Sequence, residues 1–175
     1  MKSLPTVDIA LPVYYGNLEE IEESVEKQIA YYKKNLKTYN WRIVIASNGK
    51  NPEKVITLTK KLGKKHKGKV DYTHIDKPGK GNGVIHAWES SKADIMSYMD
   101  VDLATDLGSF KTLLDNIQQG YDAVVGSRYL KTSKIKRTIK RIFISKTYIT
   151  YFYRFILGLP LTDAQCGFKA VNKKV

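Results

Sequence analysis

A chain of 175 residues, 42% of them hydrophobic, has material for one domain with a sizeable core and too little for two. Its lone cysteine, Cys166, excludes an intrachain disulfide and fits a reducing compartment, while a formal charge of +13 calls for an anionic partner or surface. Met1 to Pro5 lacks the apolar core of a signal peptide, and the best apolar run, Tyr148 to Leu161, carries Arg154 and falls short of the ~18 residues that a membrane span needs.

Val7 to Pro12 reads as a first strand ending in the turn Val13-Tyr14-Tyr15-Gly16. Asn17, with Glu20 three residues on, has the form of a capping box. The helix it opens carries Leu18, Ile21, Val25, Ile29, Tyr32 and Leu36 at near-helical spacing. Arg42 to Ala46 reads as a second strand with Ser47-Asn48-Gly49 as its turn, and Pro52 suits the first turn of a helix to about Leu62. The basic run Lys60 to Lys69, broken by Gly63 and Gly68, reads as a solvated helix end and turn. Val70 to Asp76 is a third strand, followed by the glycine-rich turn Gly79 to Gly83 and a helix with Val84, Ala87 and Trp88. Asp94 to Asp100 is a fourth strand. Asp106 then caps a helix with Leu107, Phe110, Leu113, Leu114 and Ile117, Tyr121 to Gly126 is a fifth strand, and Gly167 to Val171 a sixth.

Strands alternating with helices predict an α/β class with a mainly parallel, doubly wound sheet, in which ligands bind at the carboxyl ends of the strands. Residues 1–175 are expected to form a single domain, and the ending shortly after the sixth strand suits a piece of a longer protein.

Two features carry chemistry. Asp100 and Asp102 stand at the end of the fourth strand, where period-two alternation would point both carboxylates the same way. Such a pair suits Mg2+ or Mn2+, whose shell is completed by waters and phosphate oxygens, although a pair of solvated loop aspartates is the plainer alternative. From Ala123 to Thr162 there is no Asp or Glu. Within it, residues 131–157 interleave the cations Lys131, Lys134, Lys136, Arg137, Lys140 and Arg141 with aromatic and aliphatic side chains, a composition suited to lying on an anionic membrane surface.

Four ordered segments resemble glycosyltransferase family 2: Ile9 to Tyr14, Asp100 to Leu107, Val124 to Tyr129 and Thr162 to Lys169. The second and fourth are similar to the dolichyl-phosphate beta-glucosyltransferase, or polyprenyl-phosphate glycosyltransferase, branch. The resemblance implies the GT-A fold, a Rossmann-like nucleotide-diphospho-sugar transferase architecture, and inverting transfer of a hexose, glucose first, from a nucleotide-diphosphate sugar to a polyprenyl or dolichyl phosphate. It implies that Pro12, Val13 and Tyr14 line the nucleoside pocket, that Ser47 and Asn48 stand where the family often has a base-reading aspartate, and that Lys80 lies near the nucleotide. Asp100 and Val101 would border the donor, Asp100 and Asp102 the metal. Asp163 would serve as base or acceptor-orienting carboxylate, and Arg128 would hold the acceptor phosphate. The implied donor is UDP-glucose or GDP-mannose, and the place is the cytoplasmic face of a membrane, peripherally. A polysaccharide acceptor, a catalytically inactive domain and a nucleic-acid-binding basic domain are the alternatives. Nucleic acid is not expected as a partner, because two strand-end aspartates would repel a polyanion.

Overall fold

A computed structural model describes residues 3–14, 18–130, 133, 155–156, 158, 161–163 and 165–174. Six strands form one sheet: β1 (Thr6–Val13), β2 (Asn40–Asn48), β3 (Val70–Ile75), β4 (Ile95–Met99), β5 (Ala123–Val125) and β6 (Phe168–Asn172). Their spatial order is β3-β2-β1-β4-β6-β5. The first four strands are parallel, and β6 runs antiparallel to both β4 and β5. β1 is central and covered on both faces, which explains why its sequence is apolar without alternation.

Among the described residues four α-helices flank the sheet: α1 (Leu18–Asn35), α2 (Glu53–Lys65), α3 (Lys80–Glu89) and α4 (Phe110–Gln118). The larger core joins Ile9, Leu11, Ile43 and Ile45 of the sheet to Tyr32, Leu62, Phe110 and Leu114. Each large apolar side chain so buried contributes ~1.5–3 kcal/mol. α3 covers the other face, where Ala10, Ala46 and Tyr98 meet Val84 and Ala87. Small side chains are needed there: a Cβ at Gly83 would stand 3.2 Å from the Ala46 carbonyl oxygen. At the amino-terminal end of the sheet the buried Asp8 carboxylate is satisfied by Arg42 at 2.7 and 2.9 Å and by the Ser91 hydroxyl at 2.6 Å.

The element order expected from sequence is observed, with differences at the element ends: Val13 belongs to β1 and not to the turn, and β5 is confined to Ala123–Val125. Ser47 and Asn48 belong to β2 and not to a turn, because β1 and β3 both extend far enough to pair with them, Val13 opposite Ser47 and Ile75 opposite Asn48. Gly81 to Gly83 lie inside α3, whose first turn closes from the Gly83 N–H to the Gly79 oxygen at 3.2 Å. α2 runs to Lys65, beyond Leu62. β4 ends at Met99, and Asp100 to Leu103 form a turn closed by the Leu103 N–H on the Asp100 oxygen at 3.2 Å, so strand alternation does not set the relation of Asp100 to Asp102. Asp106 caps the chain as expected, accepting from the Gly108 N–H at 3.0 Å at the head of a single 3-10 turn before α4.

The expected cap Asn17 lies outside the described residues, as do Lys131, Lys134, Lys136, Arg137, Lys140 and Arg141 of the basic segment. Among the described residues no helix is long and apolar enough to cross a membrane.

Candidate nucleotide and metal site

The carboxyl ends of β1 and β2 are tied together by one side chain. Asn48 donates through Nδ2 to the Val13 oxygen at 2.9 Å, and its Oδ1 accepts the Gly79 N–H at 2.8 Å. A carbonyl can only accept and an N–H can only donate, so these partners fix the amide's orientation. Ser47 is also engaged, its hydroxyl 2.7 Å from the Tyr72 hydroxyl and 2.6 Å from His74 Nδ1. Both Ser47 and Asn48 are buried, as are Pro12 and Val13. Tyr14 is exposed, and its ring crosses Gly49, where a Cβ would stand 2.7 Å from ring carbon Cε2. Gly49 also has φ of 87°, so glycine is required twice over.

Gly79, at φ 125°, leads into α3, and Lys80 is the first residue of that helix. The Lys80 ammonium forms an ion pair with Asp100 Oδ1 and stands 5.6 Å from the centre of the Tyr98 ring. A second ammonium, that of Lys169, stands 5.2 Å from the same ring, donating to the Tyr98 hydroxyl at 3.2 Å and to the Cys166 oxygen at 3.0 Å. Burial holds the Lys169 ammonium below the usual lysine range. Burial first, then the charge of Asp100, pushes the Tyr98 phenol up to about 12.

Asp100 is set against the backbone of Gly167, where any Cβ would collide with its carboxylate. Its Oδ1 is buried and accepts no directed hydrogen bond from the described residues, among which the charge of Lys80 is the partner that faces it. Asp102, exposed in the turn, accepts the Ala104 N–H at 3.0 Å, and Leu103 between them and Ala104 takes φ of 49°. Val101 is half-buried and packs on the larger core, anchoring the turn. A buried carboxylate oxygen held only by a movable ammonium among the described residues, with a second carboxylate two residues on, fits a hard divalent cation. Two carboxylates would leave positions for water and phosphate, as Mg2+ and Mn2+ prefer.

Arg128 and Asp163, read separately in the sequence, are brought together. Arg128 Nε and Nη2 reach the two carboxylate oxygens of Asp163 at 2.5 and 2.8 Å, and the Arg128 backbone N–H adds a third bond at 3.1 Å. Asp163 is fully buried beneath this pair, whose hydrogen bonds raise the guanidinium's pKa further. Sequence reasoning missed Tyr98, Gly167 and Lys169. The available signal was the lysine: between the buried Phe168 and Ala170 it sits directly opposite Tyr98 in the β4–β6 ladder.

A sheet of this order, with carboxylates, a lysine at a helix start and an arginine–carboxylate pair gathered at its carboxyl edge, is an α/β domain of the class that places ligands at that edge. Residues 8–175 match glycosyl transferase family 2, and the chain belongs to that family. It is similar to glycosyltransferase AglD of Haloferax volcanii, 29% identical over 96% of this chain and 27% of that protein. It is also similar to the dolichol-phosphate mannosyltransferase of Pyrococcus furiosus, 27% identical over 97% of this chain and 47% of that one. The chain thus spans from about a quarter to about half the length of these relatives. Among solved structures it resembles mannosyl-3-phosphoglycerate synthase from Rubrobacter xylanophilus, with TM-score 0.68, 14% identity, and coverage of 97% of this chain and 54% of that one. It also resembles glucosyl-3-phosphoglycerate synthase from Mycobacterium tuberculosis in complex with Mn2+, UDP-glucose and phosphoglyceric acid, with TM-score 0.63, 16% identity, and coverage of 97% of this chain and 57% of that one. The fold is GT-A.

Proposed function

We propose that this domain transfers a hexose from a nucleoside diphosphate sugar to a polyprenyl or dolichyl phosphate at a membrane surface, with Mg2+ or Mn2+ held by Asp100 and Asp102. The observation that carries the reading is the Asp100 carboxylate. It is seated on Gly167 at the end of β4, with a buried oxygen whose partner among the described residues is the ammonium of the lysine that opens α3. A bound divalent cation supplies charge neutralisation to a departing diphosphate.

In the proposed step an oxygen of the acceptor phosphate bonds to the anomeric carbon. The bond from that carbon to the nucleoside diphosphate breaks, and its electron pair leaves with the diphosphate. A phosphate monoester has its second pKa near ~6, so the acceptor is largely ionised at neutrality and needs little help from a base. Asp163, buried and doubly bound to Arg128, accordingly serves to orient that guanidinium as the acceptor-phosphate clamp. Lys80 and the start of α3 would face the donor's diphosphate. Pro12, Val13 and Tyr14 would border the nucleoside, and Ser47 and Asn48 would shape its pocket, since their polar atoms are engaged by Tyr72, His74, Val13 and Gly79. The names of the curated relatives favour a lipid-phosphate acceptor and put mannose beside glucose as the sugar to test. Residues 131–157 are the proposed membrane contact.

Titration calorimetry with UDP-glucose and GDP-mannose, with and without Mn2+, tests this reading. Metal-dependent binding of one donor, abolished by Asp102→Asn in a folded chain, is the expected result. Binding of neither donor by the folded domain would overturn it.

A further inference from the structure

The carboxylate proposed for the metal already has a cation beside it. Lys80 faces the buried Oδ1 of Asp100, and among the described residues no other group donates a hydrogen bond to that oxygen. Asp100 cannot turn towards Gly167, because its carboxylate already lies against that backbone. Lys80 has room to move. Its side chain is 53% exposed, and it rises from the first turn of α3 on a flexible four-carbon stem. The other ammonium on the Tyr98 ring, that of Lys169, is held in place by the Tyr98 hydroxyl and the Cys166 oxygen.

We infer that Lys80 and the divalent cation compete for the same Asp100 oxygen, so that Lys80 is a positioning residue which makes metal binding depend on the nucleotide. This rests on the reading of Asp100 as a metal ligand. A metal ion arriving alone meets a carboxylate whose charge is already neutralised, with the fixed charge of Lys169 and the positive end of α3 close by. Binding it requires the ammonium to leave with no other anion to go to. A nucleoside diphosphate supplies that anion at the start of α3, and the ammonium then passes from carboxylate to phosphate while the metal takes its place. The two ligands therefore assist each other, and such coupling is reciprocal, of the order of 5–150-fold.

The test is titration of Mn2+ into the full chain, by calorimetry or by the Mn2+ spin-resonance signal, without nucleotide and with saturating UDP or GDP. Lys80→Gln keeps the length of the stem and removes the charge. Mn2+ alone is expected to bind this variant about tenfold more tightly than the natural chain. UDP or GDP, at saturating Mn2+, is expected to bind it more weakly, so the help that nucleotide gives to metal shrinks from both sides. A structural role for Lys80 would weaken both ligands together, and that result overturns the inference. Unchanged Mn2+ affinity in Lys80→Gln, with nucleotide-assisted Mn2+ binding intact in the natural chain, also overturns it while leaving the metal reading standing. No Mn2+ binding in any chain under any condition overturns the metal reading and the inference with it.

Discussion

The guanidinium of Arg128 and the carboxylate of Asp163, 35 residues apart in sequence, form a two-pronged pair in which the acid is fully buried and the base a quarter exposed. That asymmetry predicts unequal costs for breaking it. Arg128→Met leaves a buried carboxylate without a counter-charge and is expected to cost ~3–5 kcal/mol. Asp163→Asn leaves a guanidinium that still reaches water, and is expected to cost ~1–3 kcal/mol. Urea denaturation of the two variants checks the order; equal losses would mean that Asp163 is solvated once its partner goes.

Gly167 has a different kind of requirement. A Cβ there would meet the Asp100 carboxylate, which is the end of a side chain and can be pushed aside at little cost to the fold. Gly167→Ala is therefore expected to change stability by less than ~1 kcal/mol, within the range of a tolerated substitution. Mn2+-dependent nucleotide binding is expected to fall at least ~10-fold, or ~1.4 kcal/mol, because the carboxylate is displaced. A folded Gly167→Ala chain with undiminished binding would remove the Gly167 seat from the site.

Most of the element order was legible because each strand is a short apolar run bounded by turn-forming residues, and the Asp106 cap follows from its side-chain chemistry. The strand partners were not. Periodicity says which face a residue occupies and nothing of its neighbour, so the insertion of β6 between β4 and the three-residue β5 was out of reach. That insertion is what brings Gly167 to Asp100 and Lys169 to Tyr98. Ser47-Asn48 read as a turn because Ser, Asn and Gly favour turns locally, while the pairing that overrides the preference comes from β1 and β3. The Arg128–Asp163 pair left a trace: Asp163 is the first acid after Asp122, closing a stretch rich in cations.

Asn48 is a buried amide whose two ends serve the end of β1 and the turn that opens α3. Asn48→Ala would orphan the Val13 oxygen and the Gly79 N–H together, and a loss of ~2 kcal/mol is expected. Release of Gly79 also frees the turn that aims Lys80, so nucleotide affinity should fall further than the affinity of Mn2+ alone. Calorimetry of both ligands on the same preparation checks this; parallel losses would place the role of Asn48 in stability only.

Lys169 provides a test by pH. Its ammonium is bound by Tyr98 and Cys166, but Tyr98 also donates to the Cys166 oxygen at 3.2 Å, so Lys169→Met leaves neither partner bare. The variant should fold with stability within ~1 kcal/mol of the natural chain near neutrality. Burial lowers the lysine's pKa below its ordinary 10.5, so between the folded and unfolded values the unfolded chain holds more protons. Stability then rises with pH across that interval: the cost of keeping the charge buried is present in full below the folded value and is relieved as pH approaches 10.5. Urea denaturation of both chains from pH 7 to pH 10 should show the natural chain gaining on Lys169→Met as pH rises. The difference between the two curves reports Lys169 together with its effect on the neighbouring Cys166 thiol. Curves that stay parallel would mean that the ammonium keeps its full hydration in the fold, and that its contacts with Tyr98 and Cys166 are incidental.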